Sequence, residues 1–123
     1  IRLMLPAKAD LFFMGPANKS FYRECLDAGI RIFEKGGKFI HSKTLVSDDY
    51  ISVIGSANMD YRSMELSYEI NSYIYNEEKA LENKAIFLED MKECKEVILE
   101  EWNRRPLLQK ILQSIMRLFA PLL

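Results

Sequence analysis

The sequence is poor in side chains that bind metals. It contains a single histidine, His41, and two cysteines, Cys25 and Cys94, which lie far apart without CxxC or Cys/His ligand spacing. These features argue against a metal site and favour reduced, buried thiols in a cytosolic setting. We therefore expect any chemistry to depend on ordinary side chains, with no metal or other cofactor.

A long apolar run and an excess of charge are also missing. No apolar run reaches the ~18 residues that a membrane-spanning helix needs. The net charge of -1 argues against a surface that mainly neutralises nucleic-acid phosphates, so no nucleic-acid partner is expected. The chain opens on the apolar run IRLMLP without Met. Because a buried strand is an unusual beginning, we expect a piece of a longer protein.

What is present is the composition of a globular domain. The 123 residues are 49% hydrophobic and 28% charged, enough for one core. Strands are predicted at residues 1–6, 30–33, 39–46, 50–55 and 67–75, with a turn at 47–49 that makes a hairpin of the third and fourth. Helices are predicted up to residue 28 after a cap at Asn18 or Ser20, over 78–94, and over 106–119. Residues 95–99 form either an edge strand or a helix end. The alternation predicts an α/β fold.

The region around His41 brings several polar side chains together. In a strand, residues i and i+2 point to the same face, so His41 and Lys43 project together. A turn at Asp48 and Asp49, followed by antiparallel pairing, places Ser56 roughly opposite His41. By itself, a lone histidine in a strand is more often a packed or half-exposed side chain. The spacing of its neighbours is what favours catalysis here.

The turn after the hairpin completes the set. Gly55 would allow the backbone to approach a ligand, and Ser56 and Asn58 add a hydroxyl and an amide. An ammonium, a hydroxyl, an amide and an imidazole can together hold a phosphodiester and attack it. A nucleophilic imidazole needs one ring nitrogen held in place, for which Glu69 is the candidate and Glu65 the alternative.

These residues resemble a known motif. HSKTLVSD at residues 41–48 and GSAN at 55–58 are similar to the HxKxxxxD and GSxN (HKD) motif of the phospholipase D superfamily. The stretch GSANMDYRSMELSYEI and the tail EEWNRRPLLQKILQSIMRLFAPLL further resemble the C-terminal half of bacterial cardiolipin synthases. The resemblance implies a phospholipase D-like domain, with a mixed β-sheet flanked by helices and a C-terminal amphipathic helix.

The resemblance also implies residue roles. His41 would be one of two active-site histidines, one of which forms a phosphohistidine while the other protonates the leaving alcohol. Glu69 would bond the far side of His41, and Lys43 would join in catalysis while binding phosphate. The other implied residues are phosphate-binding Ser56 and Asn58 and structural Asp48 and Gly55. Because the chain has one motif copy, an N-terminal HKD half of the same protein, or a second identical chain, must supply the other histidine.

The implied reaction is transfer of a phosphatidyl group. One phosphatidylglycerol would donate it to the hydroxyl of another, which gives cardiolipin and glycerol at a bacterial membrane. The missing half would carry any membrane anchor. Two alternatives stay open: a homodimeric phosphodiesterase or nuclease of the same superfamily, and an inactive lipid-binding fragment. Charge is the discriminator for the nuclease, which should have a basic groove, whereas this chain is near neutral and ends in an apolar tail. Activity of the isolated chain is the discriminator for the inactive fragment, since the fold is common to all three.

The end of the chain has a composition of its own. Residues 102–123 contain no acid, four basic side chains and a wide apolar stripe. This pattern is typical of a helix on an anionic bilayer surface, although packing on the core or a partner fits it equally well. We therefore divide the chain into a catalytic half-domain, residues 1–101, and a basic and apolar helical segment, residues 102–123.

Overall fold

The structure is a computed structural model in which residues 1–9, 14–37 and 40–120 are described, with Met14 and Tyr61 described by their backbone alone. In chain order the elements are β1 (Arg2–Pro6), α1 (Met14–Lys19), α2 (Tyr22–Asp27), β2 (Arg31–Lys35), β3 (Lys43–Ser47), β4 (Ile51–Gly55), α3 (Tyr61–Glu65), β5 (Asn71–Tyr75), α4 (Glu77–Met91), β6 (Cys94–Glu96), α5 (Leu99–Asn103) and α6 (Leu107–Phe119). By backbone contacts the chain divides into a first unit, residues 1–40 and 94–123, and a second unit, residues 41–93. No described helix is long and apolar enough to cross a bilayer.

The first unit is built on a mixed three-stranded sheet in the order β1-β2-β6. β2 lies in the centre, parallel to β1 and antiparallel to β6. Its residues Ile32 and Phe33 are buried, together with Tyr22 from α2. The Tyr22 hydroxyl donates to the Glu34 carboxylate at 3.2 Å. Burial, reinforced by the charge of Glu34, raises the pKa of Tyr22 far above its ordinary value, so the phenol stays protonated.

The second unit is built on an antiparallel sheet in the order β3-β4-β5. β3 and β4 form a hairpin whose turn residues, Asp48 and Asp49, both have positive φ, 52° and 55°. The Tyr50 amide donates to the Ser47 carbonyl oxygen at 3.2 Å across that turn. Positive φ at both central residues is the mark of a type I′ turn, whose twist matches that of a hairpin. Aspartate is among the few residues that adopt it readily.

Helix α4 covers one face of this second sheet. Asn76 caps its start by accepting a hydrogen bond from the Lys79 amide at 2.9 Å. Asn83 bonds the hydroxyl of Ser52, which is fully buried on β4. Lys84 reaches the turn and contacts both carboxylate oxygens of Asp49, at 2.6 and 2.8 Å. The helix is therefore joined to both the middle and the tip of the hairpin.

Helix α6 packs on the first unit with its polar side. Gln113 is its one buried residue, 8% exposed, and accepts a hydrogen bond from Arg105 at 2.9 Å. Arg117 pairs with Glu24 of α2, and Lys110 donates to the Asn103 carbonyl oxygen at 2.7 Å. We define the apolar face of α6 as its large exposed side chains, Leu107, Leu108, Ile111, Leu112, Ile115, Leu118 and Phe119.

The predicted α/β fold with a mixed sheet, flanking helices and an amphipathic C-terminal helix is confirmed. The hairpin and the terminal helix were predicted correctly, and residues 94–96 form an edge strand, which settles that alternative. The predicted helix up to residue 28 is wrong in its start, because α1 and α2 are separate. Asn18 lies within α1, the Ser20 hydroxyl donates to the Ala17 carbonyl oxygen at 2.6 Å, and the N-cap position of α2 is Phe21.

Several boundaries also differ from the sequence expectations. β3 begins at Lys43, and of the predicted strand 39–46 the first residue, Phe39, lies outside the described residues. β5 begins at Asn71 instead of residue 67. The short helices α3 and α5 were not predicted. Both cysteines are half-buried, whereas buried thiols were expected. The division at residue 101 stays a prediction, and α5 and α6 group with the first unit.

We expect Gly55→Ala to destabilise the protein. A Cβ at Gly55 would lie 1.9 Å from Asn71 Oδ1 and 2.6 Å from the Ile70 carbonyl oxygen, and the latter is backbone held by pairing. Overpacking of this kind costs about 1–3 kcal/mol of unfolding free energy, measurable by chemical denaturation. Gly36→Ala is the matched control, because a Cβ there meets nothing within 4 Å. Equal losses in the two variants would contradict the assignment.

Candidate active site

The motif begins at the edge of the second unit's sheet. β3 starts at Lys43, which pairs with Gly55 of β4, and His41 lies two residues before the strand. The Lys43 ammonium donates to the His41 carbonyl oxygen at 2.7 Å. This contact brings the cation back along the chain to the histidine. The His41 side chain is exposed and Lys43 is half-buried, so both are within reach of a bound molecule.

Ser56 directly follows β4 and forms hydrogen bonds with Ile70, the residue that precedes β5. Its amide donates to the Ile70 carbonyl oxygen at 3.0 Å, and its Oγ accepts from the Ile70 amide at 3.0 Å. The Ser56 hydroxyl donates to the Glu69 carboxylate. A hydroxyl has one proton, so in this arrangement that proton is directed at Glu69. The serine and the glutamate selected from the sequence are therefore in direct contact.

Gly55 is required by packing between strands. Its register partner on β5 is Asn71, and the space that a Cβ would occupy is taken by the Asn71 side chain and the Ile70 carbonyl. The sequence suggests that this glycine allows the backbone to come close to a ligand. In the structure the close neighbour is protein, which supports its structural role. Asn71 was missed because only the register of β5 shows that it faces a glycine.

Asp48 lies at the opposite end of the hairpin from this site. β3 runs from Lys43 to Ser47, and four strand steps separate the two ends by roughly 13 Å. The contact of Asp48 is local, since it accepts a hydrogen bond from the Ser47 hydroxyl at 2.8 Å. Its neighbour Asp49 makes the tertiary contact, with Lys84. This placement favours a structural role for Asp48 and excludes it from direct contact with a phosphate bound near Lys43.

Asn58 and Glu65 lie on the connection between β4 and β5. Asn58 is exposed in the irregular stretch before α3, and Asp60 caps α3 by accepting from the Ser63 amide at 2.7 Å. Glu65 is exposed at the last position of α3. The cap gives the GSAN segment a defined end. A signal for it was present in the sequence, because Asp is among the residues favoured at helix N-caps.

The register of the hairpin is offset by one residue from the sequence expectation. The sequence placed Ser56 roughly opposite His41, whereas the ladder ends with Lys43 opposite Gly55, and Ser56 follows the ladder. The error is one residue and arises from the turn, since Tyr50 belongs to the turn and not to β4. The expected contact of Glu69 with the His41 ring stays a prediction, and the contact that Glu69 makes here is with Ser56.

Comparison with known proteins assigns the chain to a family. A family model described as "Cardiolipin synthase, PLD-like domain" matches residues 1–91. Over its whole length the chain is 37% identical to the cardiolipin synthase of Geobacillus sp. strain WCH70 and 41% identical to that of Clostridium perfringens strain ATCC 13124. It is also 41% identical to cardiolipin synthase 1 of Staphylococcus epidermidis strain ATCC 12228.

The chain belongs to the cardiolipin synthase family of phospholipase D-like domains. The resemblance identified from HSKTLVSD and GSAN is thereby confirmed. All of the chain is matched, but it spans only about a quarter of the length of these relatives, 24–26%. What the structure describes is therefore one piece of a cardiolipin synthase-type architecture.

We expect Ser56→Ala to loosen the contact between the GSAN segment and β5. The variant removes the acceptor of the Ile70 amide, and loss of one neutral hydrogen bond should speed hydrogen exchange at that amide about fivefold. The Ser56→Ala chain is compared by NMR with Ser72→Ala, in which an exposed hydroxyl on β5 is removed. Unchanged exchange at Ile70, or an equal change in both variants, would contradict the role given to the Ser56 hydroxyl.

Proposed function

We propose that the second unit supplies one half of the active site of a phosphatidyltransferase. The proposal rests on one observation, which is that four motif residues lie at the same end of one sheet. The Lys43 ammonium contacts the His41 backbone, and the Ser56 hydroxyl contacts the Glu69 carboxylate. A cation, a hydroxyl, a carboxylate and an imidazole are the groups that transfer at phosphorus requires.

Lys43 is proposed to neutralise the substrate phosphate. A side-chain cation stabilises the negative charge that builds on phosphoryl oxygens in the transition state, and this site needs no metal for that purpose. The exposed amide of Asn58 adds a second donor. The relatives are cardiolipin synthases, and membership in their family supports a phospholipid as the substrate class.

Ser56 and Glu69 are proposed to act as a coupled pair. With the Ser56 proton directed at Glu69, the serine has no proton left for a phosphate oxygen. Binding of phosphate would turn the hydroxyl away from the carboxylate. Glu69 would then be available to accept a hydrogen bond from the His41 ring and to stabilise its positive charge. Substrate binding and activation of the histidine would thus occur together.

The full reaction requires a second histidine from another motif copy. His41 and that histidine share two tasks. One attacks phosphorus, which forms an N–P bond as the bond to glycerol oxygen breaks, and the other protonates the departing glycerol. A hydroxyl of a second phosphatidylglycerol then attacks phosphorus, gives its proton to the acid–base histidine and releases the first histidine. The products are cardiolipin and glycerol.

Exposed apolar groups support a covering partner beside Lys43. Register places Leu45 and Tyr73 on the face of the sheet to which Lys43 belongs, and both are more than half exposed. Groups of this kind mark interaction surfaces when they lie together. We propose that the N-terminal half of the longer protein covers this face and contributes its histidine. The quarter-length match to the relatives is consistent with such a half.

We expect His41→Ala to abolish transfer in a full-length protein with two motif copies. Loss of the covalent or acid–base group should lower the rate at least about 10³-fold, measured as cardiolipin formed from phosphatidylglycerol vesicles. Thr44→Ala, one residue beyond Lys43 on the other face of β3, is the matched control and should retain activity. Circular dichroism checks that both variants fold. Retained transfer in a folded His41→Ala protein would refute the site.

The isolated chain tests the need for a second motif. We expect it to release no glycerol from phosphatidylglycerol vesicles and to hydrolyse no simple phosphodiester, because one histidine cannot serve as both nucleophile and acid. Turnover of the simple diester by a dimer of this chain would instead support a homodimeric hydrolase. The measurement is product analysis beside the active two-motif protein.

A further inference from the structure

Helix α6 is oriented against the usual rule for a surface helix. Its one buried residue is Gln113, whereas Leu108 is 78% and Leu118 is 76% exposed. A terminal helix that served only to close a core would place its apolar side inward. Here hydrogen bonds and ion pairs hold the polar side to the first unit, and the apolar face is directed away from it. A contiguous exposed apolar face of this kind marks an interaction surface.

A basic pocket lies on the polar side of the same helix. It has a volume of about 240 Å³, and its lining includes the cations Arg23, Arg105, Lys110 and Arg117, all within the first unit. One water takes up about 30 Å³ in the liquid, so a phosphate group fits. Among the described residues, the rest of the lining consists of hydroxyls and amides, from Ser20, Asn103, Gln113 and Ser114.

The positive charge of the pocket is only partly balanced. Arg23 is paired with Asp27 at 2.6 Å and Arg117 with Glu24. Among the residues that the structure describes, Arg105 and Lys110 contact no carboxylate; their partners are carbonyl and amide oxygens. Burial, and then the nearby charge of Arg23, lower the pKa of Arg105. Both effects disfavour its charged form, and the opposite charge of a bound anion would offset them.

Arg105 is held rigidly in this pocket. Its guanidinium stacks on the Trp102 ring, with Cζ 3.7 Å from the ring centroid, and donates to the Trp102 carbonyl oxygen at 2.6 Å. Its Nε is buried without a hydrogen-bond partner in the described structure. A stacked, oriented guanidinium is well suited to phosphate, because little rotamer freedom is lost on binding.

The pocket adjoins the apolar face. Residues three or four apart are neighbours on a helix, so Lys110 lies beside Leu107, and Ser114 beside Leu118. The segment from residue 102 to the end of the chain has no acid. An apolar helix face with cations immediately beside it complements the acyl chains and phosphates of an anionic bilayer.

We propose that α6 and the basic pocket together form a docking surface for an anionic phospholipid bilayer. The apolar face enters the boundary between headgroups and acyl chains, and Lys110 and Arg105 hold a lipid phosphate. This surface belongs to the first unit and uses none of the motif residues. The inference therefore goes beyond the proposed reaction and does not rest on it.

Vesicle binding tests this surface. The 123-residue chain is centrifuged with phosphatidylcholine vesicles that contain or lack phosphatidylserine, a lipid chosen because it is not the proposed substrate. We expect binding to the anionic vesicles that weakens as salt rises. Lys110→Gln should weaken it about fivefold, since each cation near the surface contributes about that factor. Leu108→Gln should weaken it about tenfold.

Matched controls remove the same groups elsewhere. Lys95→Gln removes an exposed cation on β6, and Ile86→Gln an exposed apolar side chain on α4. Both should bind as the parent chain does, and His41→Ala should too, so that a failed transfer assay and a failed docking surface are distinguishable. Circular dichroism checks that the variants fold. The salt dependence of vesicle binding is measured on the parent chain and therefore does not depend on the folding of any variant.

Several results would overturn the proposal. The first is no binding to anionic vesicles. The second is binding that Lys110→Gln and Leu108→Gln leave unchanged. Inorganic phosphate that binds as tightly as the vesicles would point to a soluble anion. Self-association that Leu108→Gln abolishes, without vesicle binding, would assign the apolar face to a second copy of the chain.

Discussion

The close approach of β5 to Gly55 is the constraint on which the candidate site depends. Because no Cβ fits at that position, the backbone at Ile70 can pass directly beside the end of β4. Ser56 then meets Ile70 through both its amide and its hydroxyl, and Glu69 is carried into reach of the same hydroxyl. The pairing of Lys43 with Gly55 brings the motif lysine to the same place. The absence of a side chain at Gly55 thus determines the positions of the Lys43 ammonium, the Glu69 carboxylate and the Ser56 hydroxyl.

The two ends of the hairpin have separate tasks. At the tip, two consecutive aspartates in the left-handed region make the turn, and Lys84 joins that turn to α4. This end defines the register of the strands, since a change of one residue would move every side chain to the other face. At the other end, β3 begins two residues after His41, whose side chain is exposed. The motif spans both ends, which explains why its aspartate lies far from its histidine in space although the two are only seven positions apart in sequence.

Local pattern was sufficient for most of the fold. The strand around Ile32, the hairpin and α4 could be predicted because β-branched runs, turn residues and helical spacing act over a few residues. The site residues followed from motif spacing, and the grouping of Lys43, Ser56 and Glu69 agrees with it. The one-residue error at Ser56 arose because the sequence does not show whether Tyr50 belongs to turn or strand. The contact between Gly55 and Asn71 depends on pairing of distant segments, which no local pattern contains. The orientation of α6 was equally hidden, because amphipathicity shows that a helix has two sides and not which one a protein keeps.

The polar contacts between α6 and the rest of the first unit affect how firmly this helix is held. Its bonds, Arg105 to Gln113 and Arg117 to Glu24, are partly open to water, where such pairs contribute little because the high dielectric and mobile ions weaken them. Any cover that excludes water from that side lowers the local dielectric and strengthens the same bonds. Contacts between apolar side chains would not be strengthened in this way by a lower dielectric. The strength of the polar contacts between α6 and the first unit therefore depends on how much water reaches them.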